Sequence, residues 1–254
     1  MRRRWRAWLR IVFILTLALT CRAVEPVEPI QWVLWAWERP EDLRFVPPGV
    51  EIAVQSAFIE LSGAQVRVRG RPFPLLANPA QVTTAVVHVQ IDRRRPLDWS
   101  AEREAELAAA ILDFARPDWV RRLQVDFEVR ASEREILLGV LHAVRRGLPS
   151  SVPLSMTAIA SWCAAERWVD AAPVDEVVPM LFRMGPSGRR LKERLAAGRE
   201  LGNPKCGDAL AVATDEPLVR LPTGRRVYVF NPRSWTADDF DAVRRRQGTW
   251  SGER

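Results

Sequence analysis

The chain has 254 residues, of which 48% are hydrophobic, enough for one sizeable core, and nothing in its composition marks a second domain. Its formal charge of +7 would suit a nucleic-acid-binding protein, but residues 1–23 contain six Arg and no acid, which leaves +1 for residues 24–254. The other Arg residues are interspersed with acids, as on solvated helix faces, so no nucleic-acid partner is expected.

The first 23 residues are predicted to be an export signal. The Arg-rich opening "MRRRWRAWLR" precedes the apolar run "IVFILTLALT", which is too short to cross a bilayer comfortably, and Ala23 suits a cleavage site. Lipidation at Cys21 is the less favoured alternative, because Thr20 and Ala18 make a poor lipobox. A periplasmic or secreted protein is expected, with membrane contact only through the signal or a lipid anchor.

Residues 24–29, "VEPVEP", are predicted to be a Pro-spaced tether, and residues 30–254 a single domain. Eight apolar, β-branched runs in this domain predict strands, and helical patterns fall between several of them. The predicted strands are 30–37, 49–61, 82–92, 122–129, 153–160, 175–182, 207–214 and 225–232, and the predicted helices are 100–115, 132–146, 187–200 and 236–245.

Two helix starts carry capping signals. Ser100 is a plausible N-cap, with Glu102 and Glu104 in the first turn, where acids suit the helix dipole. Ser132 and Glu135 have the S-x-x-E spacing of a capping box. Eight strands with helices between them predict an α/β fold, a (β/α)8 TIM-like barrel with an irregular or abbreviated first βα unit. An open α/β sheet is the alternative.

The stretch "LQVDFEVRASERE" places two carboxylates inside an apolar strand. Side chains two apart on a strand share a face, so Asp126 and Glu128 lie on one side, with Gln124 in line. Because the alternate positions are apolar, we expect these three to face the barrel interior, with Glu128 near the carboxyl end where barrel enzymes react. A neighbouring carboxylate would raise the pKa of one acid and suit it to general-acid catalysis. Solvent exposure or pairing with Arg is the alternative.

Further polar residues fall at predicted strand ends and complete a candidate substrate site. His88 is in phase with Asp92 on the third strand, although a hydrogen-bonded core histidine is an alternative. Arg183 would bind an anionic sugar or neutralise the acids. The remaining polar candidates are Glu38, after the first strand, and Asn231, at the end of the eighth.

Tryptophan is abundant, with nine Trp and a single Tyr outside the signal. Indole faces suit sugar rings, but Trp is equally a core residue. Four lie near predicted strand ends and are candidate sugar contacts: Trp35, Trp37, Trp162 and Trp235.

Neither the cysteines nor any motif indicates a metal or cofactor. The chain contains no Gly-rich phosphate loop, nucleophile elbow or zinc-helix motif, so no cofactor and no metal are expected. Cys163 follows the fifth predicted strand and Cys206 precedes the seventh, which would place them at opposite barrel ends. A disulfide requires Cα atoms within about 7 Å, so two free thiols are predicted, although an oxidising compartment would permit a bond.

Five segments in order also carry a family resemblance: "VLWAWERPEDLRF", "LQVDFEVRASERE", "PLSMTAIASWC", "VDEVVPMLFRMG" and "RVYVFNPRSWT". Together they resemble an uncharacterised bacterial family of exported proteins that share a domain of unknown function covering nearly the whole mature chain. The resemblance implies a barrel similar in appearance to those of glycoside hydrolases.

The fourth strand is also similar to that of chitinase-like barrels, whose D-x-x-D-x-D-x-E motif ends in the acid. Only Asp126 and Glu128 match this motif, and Met180, Leu181, Phe182 and Arg183 stand where that family has M-x-Y-D. The missing Tyr and Asp argue against substrate-assisted hydrolysis. Two function classes therefore remain: an exported enzyme that hydrolyses a polysaccharide or oligosaccharide, with Glu128 as acid and Asp126, Glu38 or Asp92 as second carboxylate, or a noncatalytic barrel for glycan binding or envelope assembly.

Overall fold

The computed structural model describes residues 29–185, 188–217 and 221–248. The predicted signal, its cleavage site, Cys21 and all but the last residue of the tether lie outside them. The strands in the described residues are β1 Gln31–Ala36, β2 Glu41–Asp42, β3 Glu51–Ser62, β4 Gln65–Gly70, β5 Leu75–Leu76, β6 Val82–Ile91, β7 Arg122–Glu128, β8 Leu154–Ile159, β9 Glu176–Met180, β10 Ala209–Ala213 and β11 Arg226–Phe230. The α-helices are α1 Ala101–Asp113, α2 Arg134–Gly147, α3 Ala160–Ala165, α4 Gly188–Ala196 and α5 Ala237–Gly248.

Eight of these strands close into a parallel barrel. Their order is β1, β11, β10, β9, β8, β7, β6 and β3, and β3 pairs again with β1 to complete the circle. They correspond to the eight predicted strands, so the predicted closed parallel sheet is confirmed. Buried β-branched residues on both faces explain why the strands read as near-continuous apolar runs.

The described residues contain fewer α-helices than barrel strands. Helices α1, α2, α3 and α4 lie between successive strands from β6 to β10, and α5 follows β11. Between β1 and β3 the chain forms the short strand β2, which agrees with the expected irregular first unit. None of the helices in the described segments combines the length and apolar character needed to cross a membrane.

The hairpin formed by β3 and β4 was not predicted. Strand β3 continues to Ser62, and β4 returns antiparallel to it from Gln65. Gly63 occupies the turn with φ of 59°, a conformation that glycine adopts without steric cost. The alternating "QVRVRG" after a Ser-Gly pair was a sequence signal for this hairpin.

The two predicted helix caps differ in outcome. The Ser100 side chain accepts a hydrogen bond from the Arg103 backbone N–H, which confirms the N-cap of α1. The capping box at Ser132 and Glu135 is wrong, because residues Ala131–Glu133 form a 3-10 turn before α2. Glu133 accepts a hydrogen bond of 2.6 Å from the Arg130 backbone N–H instead.

Apolar residues form two layers, one outside the barrel and one within it. The outer layer packs the helices against the strands and includes Leu107, Leu141 and Phe240. The inner cluster fills the barrel with Val33, Trp35, Ala53, Val86, Val178, Ala209, Ala211 and Tyr228. The inner cluster forms the floor beneath the carboxyl ends of the strands.

Cys163 and Cys206 form a disulfide with Cα atoms 5.9 Å apart, so the prediction of two free thiols is wrong. Helix α3 and the 3-10 turn Pro204–Cys206 both pack against β9. The backbone N–H of Asn203 donates to the Cys163 carbonyl oxygen at 3.1 Å. Both cysteines therefore lie in the outer layer, in elements that pack against β9, and not at opposite barrel ends.

Removing this bond should destabilise the barrel. The cysteines are separated by 43 positions, and a loop of that size predicts a loss of about 4 kcal/mol from the free energy of unfolding when Cys163 and Cys206 are both changed to Ala. Urea denaturation of the double variant measures the loss. Alkylation of both cysteines in the denatured, unreduced wild type, read by peptide mapping, would contradict the bond.

Candidate active site

The inward face of β7 carries the two carboxylates. Val125 and Phe127 belong to the outer apolar layer, whereas Gln124 and Asp126 are buried on the opposite side. Glu128, at the strand's end, follows in the same phase. The alternation of β7 thus places the three polar residues on the inward side, as expected from its apolar positions.

Asp126 is held between two neighbouring strands. Its Oδ2 lies 2.6 Å from Nδ1 of His88 on β6, and its Oδ1 accepts a hydrogen bond of 2.5 Å from the Thr157 hydroxyl on β8. All three side chains are buried. The parallel register explains the contact to histidine, because His88 and Asp126 are direct partners across β6 and β7.

Burial and pairing act in opposite directions on these groups. Burial lowers the pKa of His88, but the hydrogen bond and charge of Asp126, with Glu128 and Glu38 adding to them, outweigh it and raise that pKa from 6.5. Burial raises the pKa of Asp126, but His88 and the Thr157 hydroxyl together lower it from 3.8. The pair is therefore an imidazolium and a carboxylate between pH 3.8 and 6.5.

Glu128 lies at the outer end of this arrangement. Its Oε1 is 3.9 Å from Nε2 of His88, and its side chain is 60% exposed. That distance is beyond a direct hydrogen bond and leaves space for a bridging water or a substrate oxygen. The mouth therefore combines an accessible carboxylate with a buried, charged histidine beside it.

Aromatic rings surround the histidine. Phe58 stacks on His88 with centroids 5.4 Å apart, and Trp37 meets its edge at 5.7 Å. Trp37 also packs against Phe230, which stacks on Phe182 at 5.5 Å. Trp37 is half-buried, so its indole is the predicted sugar contact that the structure places next to the acid pair.

Phe58 also lies at the mouth, although the sequence did not indicate it as a site residue. It pairs directly with His88 across β3 and β6. A β-bulge between Gln55 and Ala57 reverses the alternation of β3, which puts Ile59 outside the barrel and Phe58 on the inward side. A sequence pattern that assumes strict two-residue alternation along β3 does not predict that reversal.

A buried polar network fills the barrel below the mouth. Trp35 Nε1 donates to Gln124 Oε1 at 2.8 Å, and Gln124 Nε2 donates to the Ser155 hydroxyl at 3.1 Å. Ser155 and Tyr228 then donate to Glu176 Oε2 at 2.7 and 2.8 Å. Trp35 and Gln124 therefore belong to the floor and not to a substrate surface, a correction to their predicted place at the mouth.

Two other candidates, Trp235 and Asn231, are buried away from the mouth, whereas Trp162 lines a pocket beside Glu128. Trp162 packs edge-on against Trp168 in the outer layer. Trp235 donates from Nε1 to the Trp35 carbonyl oxygen at 2.9 Å. Asn231 accepts from the Thr214 hydroxyl at 2.6 Å and is 2% exposed. The hydrogen bonds of Trp235 and Asn231 connect loops to the barrel, so the structure does not place these two residues as expected.

The predicted charged candidates are engaged in ion pairs. Glu38 pairs with Arg69. Asp92 accepts from Ser62 at 3.1 Å and from Arg94, whose hydrogen bonds lower the pKa of Asp92 to about 2.

Arg183 does not neutralise Asp126 or Glu128. It has φ of 52°, rare for a residue with a side chain, and contacts Asp215 at 2.6 Å and Glu216 at 3.0 Å. Two acidic partners on the loop after β10 therefore hold Arg183 in this conformation at the rim.

Two pockets open beside Glu128. The larger, of about 540 Å³, extends from Glu128 along α3 and α4. The smaller, of about 310 Å³, includes Asp126 and Thr157 and reaches Arg93. Both volumes fall within the range that is usual for small-molecule binding pockets. In the part of the chain that the structure describes, no group of three or more His, Cys, Asp or Glu could hold a metal ion.

No protein-family model and no curated protein matches this chain. The geometry of the barrel mouth is therefore the basis for any functional conclusion.

The charge state of His88 can be measured directly. We expect the imidazole of His88 to titrate above 6.5 in the wild type and at lower pH in Asp126→Asn, because the variant removes the carboxylate charge. Imidazole NMR shifts against pH measure this. An unchanged His88 titration in the variant would contradict the pairing.

Proposed function

We propose that the protein is an exported carbohydrate-active enzyme that hydrolyses a glycosidic bond of a cell-envelope or extracellular polysaccharide. The observation that carries the proposal is the exposed Glu128 carboxylate at the carboxyl end of a barrel strand, 3.9 Å from the Nε2 of a buried, Asp126-paired histidine. Trp37 beside it supplies an aromatic face suited to a sugar ring.

In this proposal Glu128 donates a proton to the glycosidic oxygen as the bond from that oxygen to the anomeric carbon breaks. The leaving sugar keeps the proton. Water adds its hydroxyl to the anomeric carbon and gives its proton to the Glu128 carboxylate, which restores the acid, so the atoms and charges balance. The His88 imidazolium stabilises the Glu128 carboxylate formed on proton transfer, and Asp126 positions the ring through Nδ1.

A noncatalytic glycan-binding or envelope-assembly barrel is the second candidate, and one observation favours it. Glycoside hydrolysis ordinarily uses two carboxylates. Both carboxylate oxygens of Asp126 are already hydrogen-bonded, one to His88 and one to Thr157, and Glu38 forms an ion pair with Arg69. Asp92 is likewise bound to Ser62 and Arg94. A binding role needs no second free acid.

We also propose that the barrel is of the (β/α)8 TIM-like class, with some helices replaced by loops and the β3–β4 hairpin. The buried Cys163–Cys206 disulfide supports export, because such bonds persist in oxidising compartments. Membership of the exported family that the five segments resemble rests on those segments alone.

The proposal is tested by incubating the purified protein with peptidoglycan fragments and bacterial exopolysaccharides and measuring new reducing ends. We expect turnover of at least one of them. Binding of a glycan without any product, under conditions where the fold is intact, would favour the noncatalytic barrel.

A further inference from the structure

The two pockets at the mouth meet at Glu128. Glu128, Ile159 and Met180 line both the larger and the smaller pocket. A ligand that reaches the carboxylate from one pocket therefore has continuous access to the other. The chemistry of the two linings differs, and that difference constrains the class of substrate.

The larger pocket is mainly apolar. Its walls include Ile159, Met180, Phe182, Met184 and Leu191, together with alanines of α3. Ile159 is 48% exposed, which is unusual for a large aliphatic residue lining a pocket of about 540 Å³. Methionines adapt to flexible apolar ligands. These walls suit an alkyl chain better than a second sugar.

The smaller pocket is more polar where it approaches the acids. Asp126, Thr157 and Glu128 line it, and Arg93 lies at its edge. Of these groups, the Arg93 guanidinium can donate to hydroxyl groups and the Glu128 carboxylate can accept from them. A sugar unit in the smaller pocket would place its glycosidic oxygen at Glu128, with an apolar substituent extending towards α4.

Positive charge also lines the larger pocket. Arg190 and Arg194 line it from α4, one helical turn apart, where like charges repel and favour an anion. Among the described residues Arg190 has no acidic partner, and Arg194 makes a 3.5 Å hydrogen bond to the Glu200 carbonyl oxygen. Arg183, by contrast, is already neutralised by Asp215 and Glu216.

We propose that the substrate class is an anionic amphiphile: a saccharide joined to an alkyl or acyl chain and bearing an anionic group such as a phosphate. The chain occupies the larger pocket, the anion contacts Arg190 and Arg194, and the sugar reaches Glu128. The assignment of the sugar end rests on the proposed function, whereas the alkyl and anion sites are testable without catalysis.

The test is equilibrium binding by calorimetry, with each probe below its micelle concentration. Octyl phosphate and hexyl phosphate vary the chain, inorganic phosphate is the anion alone, and octyl β-D-glucoside is the uncharged amphiphile. Burying a methylene changes affinity about fourfold, so octyl phosphate should bind about 15-fold more tightly than hexyl phosphate. Inorganic phosphate should bind far more weakly than either.

Matched variants separate the two parts of the site. Ile159→Asp should weaken octyl phosphate at least about tenfold, because it puts a charge in the apolar wall. Val68→Asp is its control, since Val68 is also 48% exposed but lies on β4. The double variant Arg190→Ala/Arg194→Ala should weaken octyl phosphate about three- to tenfold and leave octyl glucoside unchanged. Arg189→Ala, on the same helix but outside the larger pocket, is the control.

Equal affinity for the two chain lengths would overturn the proposal, as would equal weakening by Ile159→Asp and Val68→Asp. Arginine variants that bind octyl phosphate like the wild type would overturn the anion site. Because octyl phosphate and hexyl phosphate contain no glycosidic bond, the alkyl site can be upheld even if no glycan is cleaved. Cleavage of a glycan with no alkyl phosphate binding would uphold the proposed function and reject this substrate class.

Discussion

Changing Glu128 to Gln should lower the rate of glycan hydrolysis by about 10²–10⁴, the usual contribution of a general acid. The amide keeps the shape of the side chain but has no acidic proton to donate. Because the Glu128 side chain is 60% exposed and lies at the end of β7, the fold and glycan binding should persist. Initial rates on any glycan that the wild type cleaves measure the effect.

Glu135→Gln is the matched control for this experiment. Glu135 is an exposed glutamate in the first turn of α2, seven positions along the chain from Glu128. Its variant should retain wild-type turnover. A Glu128→Gln protein that hydrolyses the glycan at the wild-type rate would exclude Glu128 as the proton donor.

Asp126→Ala is expected to have the largest effect on stability, a loss of about 3–5 kcal/mol from the free energy of unfolding. The change leaves the buried His88 ring and the Thr157 hydroxyl without their shared partner. Urea denaturation near pH 5.5 measures the loss. Asp113→Ala, which removes an exposed carboxylate from the end of α1, is the control and should be near the wild type.

The stability difference between wild type and Asp126→Ala should also depend on pH. His88 has a raised pKa, so its contribution is complete below 6.5 and is lost as the pH rises through the folded-state value. Asp126 has a lowered pKa, so its contribution is present above 3.8 and is lost as the pH falls through the folded-state value. The stability difference should therefore be largest between pH 3.8 and pH 6.5. A stability difference that grows steadily above pH 8 would contradict the ion pair.

Periodicity in the sequence was enough to predict the barrel strands and the inward face of β7. The runs are long, β-branched and bounded by polar segments, so hydrophobic patterning dominates over local context. The same alternation placed Asp126 and Glu128 together, because two positions on one strand share a face whatever the neighbouring strands are.

Contacts between strands were harder to predict, because they depend on register and bulges. The partner of Asp126 is fixed by the β6–β7 register, and Phe58 reaches His88 only through the bulge in β3. The position of Trp235 near a predicted strand end also did not indicate that its indole N–H would donate to the Trp35 backbone carbonyl. Proximity to a strand end does not determine which layer a side chain enters.

The disulfide shows the same limit in the outer layer. Position in the chain suggested opposite barrel ends, but the path of a loop outside a barrel is not set by the strand that it follows. Helix α3 and the turn before β10 both fold onto β9, which brings Cys163 and Cys206 together. Tertiary packing, which a single sequence does not encode in its periodicity, decided this pairing.

The central claim is that Glu128 is the proton donor at a glycan-binding barrel mouth. It is tested most directly by a crystal structure of Glu128→Gln with a bound oligosaccharide from the hydrolysis screen. We expect the glycosidic oxygen to lie within about 3.2 Å of the side chain at position 128, with the sugar against Trp37 and the His88–Asp126 contact intact. A sugar bound elsewhere on the protein, with the side chain at position 128 facing only water, would contradict it.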